Sequence, residues 1–318
     1  MNNEINQRYA VIDLGTNTLK LLIAERIERH WNYLLDTAFQ CRLGEGLREN
    51  GRIMPPALDR TLDAIRNAVS LCREYHVNII YPMATEAFRL AENGEEVRDR
   101  IKNELNLDFH IITGDEEAQL AIEMLKHEYP GNLDNFMIID IGGGSAEISA
   151  KFEVRSAKCE NEKAKCEFSR SLPLGCVVLK EEFLHSDPPT DTEIDNLKKF
   201  IQGKISDLQS CSTELTCIGI GGTVVTIGSL HQGYLDKAKL HGTQLTYAEI
   251  EGISHKLNRL TTPERKELPG MILGREDILP AGAMVLLEIM KHFHMDRITI
   301  ITRGIRHGVL QKELRIKS

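Results

Sequence analysis

Two short stretches far apart in the chain carry nearly the same message: Val11-Ile12-Asp13-Leu14-Gly15-Thr16-Asn17-Thr18-Leu19-Lys20 and Ile138-Ile139-Asp140-Ile141-Gly142-Gly143-Gly144-Ser145-Ala146-Glu147. Each is an apolar run ending in aspartate, then a glycine turn, a hydroxyl and a second apolar run. Asp13 matches Asp140, Gly15 matches Gly142, and Thr18 matches Ser145. The pattern predicts a strand–turn–strand in each copy, over Tyr9–Leu14 with Leu19–Ala24 and over Phe136–Ile141 with Glu147–Phe152. A chain that repeats such a unit is expected to repeat the fold around it.

The repeated residues also share a chemical use. Glycine lets backbone N–H groups approach a phosphate oxygen, and a hydroxyl adds a donor. This marks Gly15, Thr16, Asn17 and Thr18, and likewise Gly142, Gly143, Gly144 and Ser145, as phosphate-binding candidates. Tight hairpin turns favour Asp, Asn and Gly for conformational reasons alone; it is the matched offsets in two copies that point to a phosphate clamp. A third turn, Gly221-Gly222-Thr223, follows the strand-like Leu215–Ile220 and can open a helix whose N-terminus favours an anion. A P-loop is absent, since no GxxxxGK[ST] occurs. A dinucleotide fold needs a helix after its glycines, whereas Gly142–Gly144 lead into a strand.

Between these turns helix and strand signals alternate. Helices are predicted over Ala57–Tyr75, Glu95–Leu105, from Thr113 to about Glu128, and over Ala281–Phe293. Strands are predicted over Asn78–Pro82 and Phe109–Ile112, and the polar Val154–Glu167 reads as a loop or hairpin tip. The mixture implies an α/β architecture. At 318 residues the chain exceeds one ordinary core, so two domains are expected.

A net charge of −8 argues against general nucleic-acid binding. It demands that any polyanionic ligand be met by a local patch, backbone amides or a cation. No apolar run nears the roughly 20 residues of a membrane span. Seven cysteines without a CxxC pair, the nearest spacings being Cys159/Cys166 and Cys211/Cys217, read as reduced thiols in a cytoplasmic protein.

Six separated motifs resemble the exopolyphosphatase/guanosine pentaphosphate phosphohydrolase (Ppx/GppA) family. They are Ile12–Thr18, Ala84-Thr85-Glu86-Ala87-Phe88-Arg89, Ile112-Thr113-Gly114-Asp115-Glu116-Glu117-Ala118, Asp140–Glu147, Ser171-Leu172-Pro173-Leu174-Gly175 and Arg306-His307-Gly308. The resemblance spans nearly the whole chain and matches the family's short form. Gln119 stands where the family often has Arg, and His307 where it often has Glu.

The resemblance implies a duplicated actin-like (ribonuclease H-like) fold with an interlobe cleft. One lobe would comprise residues 1–122 with about 304–318, the other 123–303. It implies release of terminal phosphate from inorganic polyphosphate or guanosine pentaphosphate, with Mg²⁺ or Mn²⁺ as cofactor and a homodimer as an option. Glu117 is the candidate base by that match, and Arg89 a phosphate-binding arginine able to fork two oxygens. Asp115 is read as the helix cap, Glu116 as a lesser substrate contact and the reserve base. Asp140 and Glu147, with Asp13, are the candidate metal carboxylates, and their field is expected to raise the Glu117 pKa. Lys20 and Arg306 are weaker substrate contacts. The rival readings are an ATP-using kinase of the same superfold and a non-catalytic binder of polyphosphate or guanosine polyphosphates.

Overall fold

The structure is a computed structural model and describes residues 7–129, 131, 133–155, 163–209 and 215–316. Contacts divide the chain into two compact units, residues 1–124 with 305–318, and residues 125–304.

The first unit is built on β1 (Arg8–Leu14), β2 (Thr18–Ile27), β3 (His30–Gln40), α1 (Leu47–Asn50), α2 (Pro55–Glu74), β4 (Ile79–Ala84), α3 (Glu86–Leu90), α4 (Gly94–Leu105), β5 (His110–Ile111) and α5 (Gly114–Glu128). The chain's last helix, Ile305–Ile316, also belongs here. The strand order is β3-β2-β1-β4-β5, with β1–β2–β3 an antiparallel meander and β4 and β5 added in parallel. Helix α2 starts on Pro55, whose missing N–H costs nothing at that position. It buries Leu58, Leu62, Ile65, Ala68 and Cys72 at helical spacing, in one core with Ile12, Leu19 and Leu21.

The second unit comprises β6 (Phe136–Ile141), β7 (Ala146–Arg155), β8 (Lys163–Leu172), α6 (Cys176–Phe183), α7 (Asp191–Ile205), β9 (Thr216–Ile220), α8 (Gly221–Gln232), α9 (Lys237–Leu240), β10 (Gln244–Thr246), α10 (Tyr247–Arg259), α11 (Thr262–Lys266), α12 (Leu279–His292) and β11 (Arg297–Ile300); the closing helix is then α13 (Ile305–Ile316). The order is β10-β11-β9-β6-β7-β8. Strands β8-β7-β6-β9-β11 reproduce β3-β2-β1-β4-β5 in order and direction. The duplication expected from two turns therefore extends to five strands per copy. Helix α12 is buried all round from Leu279 to Met290 and apolar there except at Glu288, which accepts from Gln202.

The third strand of each copy escaped the sequence reading. The segment read as a loop or hairpin tip at Val154–Glu167 joins the antiparallel β7 and β8, in β7 up to Arg155 and in β8 from Lys163; residues 156–162 lie outside the described residues, as do Cys159 and Cys211. In β8 the sequence alternates charged with small or apolar residues from Lys163 to Phe168, a period-two pattern hidden by its charge. Among the described residues no helix is long and apolar enough to cross a membrane.

Candidate functional site

The two aspartates occupy the same place in their copies. Asp13 is next to last in β1, opposite Lys20 on β2, and Asp140 is next to last in β6, opposite Glu147 on β7. Each turn closes with the same hydrogen bond, Gly15 N–H to Thr18 O at 3.1 Å and Gly142 N–H to Ser145 O at 2.8 Å.

What braces each turn is the segment after the third strand. In the first unit the carbonyl of Thr16 accepts from Gly44 N–H, and that of Asn17 from Cys41 and Arg42 N–H. In the second, the carbonyls of Gly142, Gly143 and Gly144 accept from Cys176, Val177 and Gly175 N–H at 2.9, 2.9 and 3.1 Å. Gly175 is needed for this approach: a Cβ there would lie 2.1 Å from the Gly144 carbonyl carbon. In a trans peptide the C=O of one residue and the N–H of the next point opposite ways. With the glycine carbonyls committed to α6, the N–H groups of Gly143, Gly144 and Ser145 point away from it, and none has an acceptor among the described residues. Such a run of convergent, unused N–H groups suits an anion.

The hydroxyls do something else. Ser145 donates to Glu147 Oε1, Thr18 to Gln40 Oε1 at 3.4 Å, and Thr223 to the Ile141 carbonyl at 2.8 Å. Asn17 also turns to Gln40, at 3.1 Å. The Thr16 methyl packs where Gly44 has no Cβ. These side chains, expected as phosphate donors, are buried braces, and the backbone is left as the cradle. The reason is that each hydroxyl finds an acceptor on a strand or turn that the sequence does not show to be adjacent.

The third turn does open a helix, α8, and Gly221 sits at φ +80, a conformation that favours glycine. A Cβ at Gly221 would lie 2.0 Å from Asp140 Oδ1, so the carboxylate rests directly on this turn. A Cβ at Gly222 would lie 1.9 Å from Nη2 of Arg275. Arg275 was not anticipated, because no motif or periodicity marks it. It is only 9% exposed, and its side chain has no hydrogen bond or ion pair among the described residues. Burial lowers its pKa, with Cys176 and Asp140 opposing the shift. A buried guanidinium with no ion-pair contact among the described residues, set against a helix N-terminus, is chemically an anion receptor.

In the first unit Glu117 lies in the first turn of α5, its side chain 13% exposed. Arg89 Nη2 is 3.6 Å from Glu117 Oε2, while Nη1 donates to the Ile112 carbonyl. The Arg89 guanidinium is thus one neighbour of the Glu117 carboxylate. Helix α5 is capped by Thr113 and Glu116, and not by Asp115. Thr113 N–H donates to Glu116 Oε2 at 2.8 Å, and Glu116 N–H to Thr113 Oγ1 at 3.1 Å, a capping box. These bonds, Thr113 N–H foremost, lower the Glu116 pKa. Glu116 is therefore committed to the cap rather than to substrate.

Other expected contacts are engaged locally. Lys20 Nζ lies 3.5 Å from Asp13 Oδ2, which makes Asp13 half of an ion pair. Arg306 Nη1 donates to Asp36 Oδ1 at 2.7 Å and ties α13 to β3, so it acts as a structural pin. His307 is fully buried against the Tyr33 ring, 5.0 Å between centroids, and Gln119 is exposed. Glu147 Oε1 receives the Ser145 and Ser171 hydroxyls, the latter at 3.0 Å, which gives the Ser171–Gly175 motif a role at both ends. Among the described residues no three His, Cys, Asp or Glu side chains gather as a metal cluster.

Known proteins with this arrangement agree with the resemblance. The chain is similar to Exopolyphosphatase 2 of Mycobacterium tuberculosis, 30% identical, covering 95% of this chain and 97% of that one. It is 25% identical to the guanosine-5'-triphosphate,3'-diphosphate pyrophosphatase of Aliivibrio fischeri, covering 95% of this chain and 58% of that relative. Among solved structures, the Aquifex aeolicus Ppx/GppA family member superposes with TM-score 0.77 at 27% identity, over 98% of this chain and 99% of that one. An exopolyphosphatase from Cytophaga hutchinsonii superposes with TM-score 0.84 at 26% identity, over 97% and 98%. The description of the Ppx/GppA phosphatase family matches residues 22–316, and the chain belongs to that family.

Proposed function

We propose that the protein hydrolyses terminal phosphoanhydride bonds, releasing orthophosphate from inorganic polyphosphate and also from guanosine pentaphosphate. The observation that carries this reading is the outward-turned N–H run at Gly143–Ser145, a charge-free cradle through which an acidic protein can hold a polyanion. The near end-to-end similarity to an exopolyphosphatase favours the polymer as the main substrate.

In the reaction Glu117 takes a proton from water as the water oxygen bonds to the terminal phosphorus. The bridging P–O bond breaks, its electron pair leaves with the shortened chain, and orthophosphate departs. Arg89 holds Glu117 in place and offers its remaining N–H groups to the terminal phosphate. Gly143–Ser145 N–H groups and Arg275 hold oxygens of the chain. Such positioning and charge neutralisation supply most of what phosphoryl transfer requires.

A divalent cation fits the residues present. Asp140 and Glu147 face each other across β6 and β7, and magnesium is commonly held by one or two carboxylates with water and substrate phosphates. The Ser145 and Ser171 hydroxyls donate to Glu147 Oε1 and so orient its carboxylate. When bound, Mg²⁺ or Mn²⁺ would supply positive charge against the phosphate oxygens. Asp13, paired with Lys20, is left out of this ligand set. The free buried thiols Cys41, Cys72, Cys176 and Cys217 accord with a cytoplasmic setting.

The test is one assay of purified protein on long-chain polyphosphate, guanosine pentaphosphate and ATP, with Mg²⁺ and with chelator. Phosphate release from the first two, abolished by chelator and lowered by at least roughly a hundredfold in Glu117→Gln, is expected. Turnover by Glu117→Gln close to the parent's would remove Glu117 from the mechanism.

A further inference from the structure

Arg265 is the largest fully buried side chain among the described residues, 2% exposed, and no motif includes it. Its guanidinium is spent on four elements of the fold. Nε donates to the Leu257 carbonyl at the end of α10 (2.8 Å), and Nη1 to Thr262 Oγ1 (3.3 Å) and to the Glu276 carbonyl (3.2 Å). Nη2 lies 3.3 Å from Asp187 Oδ1. The Glu276 carbonyl belongs to the residue immediately after Arg275, in the stretch joining α11 to α12.

Asp187 is itself held from two sides. Its carboxylate accepts from Thr262 N–H at 2.9 and 2.8 Å. The segment around it is gathered by Glu193, which accepts from the N–H groups of His185, Ser186 and Thr190 and from the Thr190 hydroxyl. On the other side, Gly274 N–H donates to Glu276 Oε2 at 2.6 Å, and Ile278 and Leu279 N–H donate to the Arg275 carbonyl. Arg275 is therefore fastened at its own backbone and at the next carbonyl. Its side chain, laid against Gly222, makes no hydrogen bond among the described residues. Burying a guanidinium is a poor way to gain stability, since desolvation offsets most of the attraction. The contacts of Arg265 instead tie the Glu276 carbonyl, beside Arg275, to the end of α10, the start of α11 and Asp187.

We propose that Arg265, held by Asp187, is a positioning residue for the anion site at the start of α8: it fixes the stretch that delivers the Arg275 guanidinium to Gly222, and sets substrate affinity without touching substrate. This rests on the phosphate role given to Arg275 above. The arrangement separates two tasks that one arginine cannot combine. Arg275 must keep its donors unused for the ligand, so its orientation has to come from a second arginine, whose Nε and Nη1 donate into the fold and whose Nη2 lies beside Asp187.

The experiment is a double-mutant cycle in the full chain, using Arg265→Lys, Asp187→Asn and Arg275→Ala, alone and combined, with polyphosphate as substrate. Folding of each variant is checked by thermal melting, and hydrogen exchange is read over the segment 270–279. Lysine keeps the charge at position 265 but cannot reach four partners at once. Arg265→Lys is expected to raise KM roughly tenfold or more with kcat changed far less, as small misplacements of a binding group do. Exchange over 270–279 is expected to quicken, and neither effect on KM should persist once Arg275 is already alanine. Should Arg265→Lys not fold, Asp187→Asn, at a half-exposed position, carries the same comparison. An equal KM penalty in the parent and Arg275→Ala backgrounds, or unchanged exchange over 270–279, overturns the proposal while leaving the function intact. A parent-like KM for Arg275→Ala alone would instead remove the phosphate role of Arg275, and this proposal with it.

Discussion

At the scale of single residues, the site assigns its polar groups in an unexpected way. Hydroxyls and an amide that read as ligands for phosphate are spent inside the fold, on Gln40, Glu147 and the Ile141 carbonyl. Peptide N–H groups take their place, which is economical in entropy because a braced backbone has little freedom left to lose. Gly221 shows how closely this is packed, since both its φ of +80 and the Asp140 carboxylate against it exclude a side chain. Gly221→Ala is expected to push Asp140 from its place and cut phosphate release by at least roughly tenfold, with a lower melting temperature, as strain at a left-handed position costs about 1 kcal/mol or more. Alanine tolerated at both readouts would show that neither constraint matters. The Arg89–Glu117 pair was legible only as two separate residues; their 3.6 Å contact joins α3 to α5, and no spacing in the sequence encodes it.

At the scale of elements, the caps were the least legible feature and the amphipathic helices the most. Helices α2 and α4 lie within a few residues of their predicted spans because their apolar positions recur at 3.6. Four helices, α5, α7, α10 and α11, begin with a threonine capping box, and that of α7 also binds the incoming loop. Glu193 at the start of α7 is the extreme case. Backbone N–H of Thr190, then those of Ser186 and His185, drive its pKa from 4.5 down to about 2. A carboxyl with a depressed folded-state pKa contributes stability above its ordinary value and loses it as pH falls through the folded one. The melting-temperature deficit of Glu193→Ala should thus be constant above about pH 5 and shrink as pH drops from 4.5 toward about 2. A deficit that does not change with pH would mean the side chain contributes only packing. Strands β3 and β8 were missed for a related reason, since each carries polar residues through an edge position where one side meets solvent.

At the scale of the whole molecule, two units repeat one five-strand order, and each presents an aspartate-ended strand, a braced turn and an arginine. The arginines are not equivalent by descent of sequence: Arg89 follows β4, whereas Arg275 reaches the turn after β9 from a distant stretch before α12. If a single polyphosphate chain uses both, Arg89→Ala and Arg275→Ala should each raise its KM, and the double variant should bind more weakly than either. Dependence on one unit alone, with the other arginine dispensable, would confine the binding site to that unit. The chain's acidity then has a use, since a cation and peptide dipoles can hold a polyanion where a basic surface would also attract nucleic acid.

The sequence by itself determined the doubled Asp–glycine hairpins, the α/β alternation, the amphipathic helices and the family, because all of these are written in residues close together in the chain. Only the tertiary structure decided which donors face outward, that Thr18, Ser145 and Thr223 turn inward, that Arg89 meets Glu117, and that Arg275 arrives at Gly222. Each of these depends on a hydrogen bond or contact between segments tens of residues apart, and such contacts are selected by packing of the finished fold rather than by local propensity.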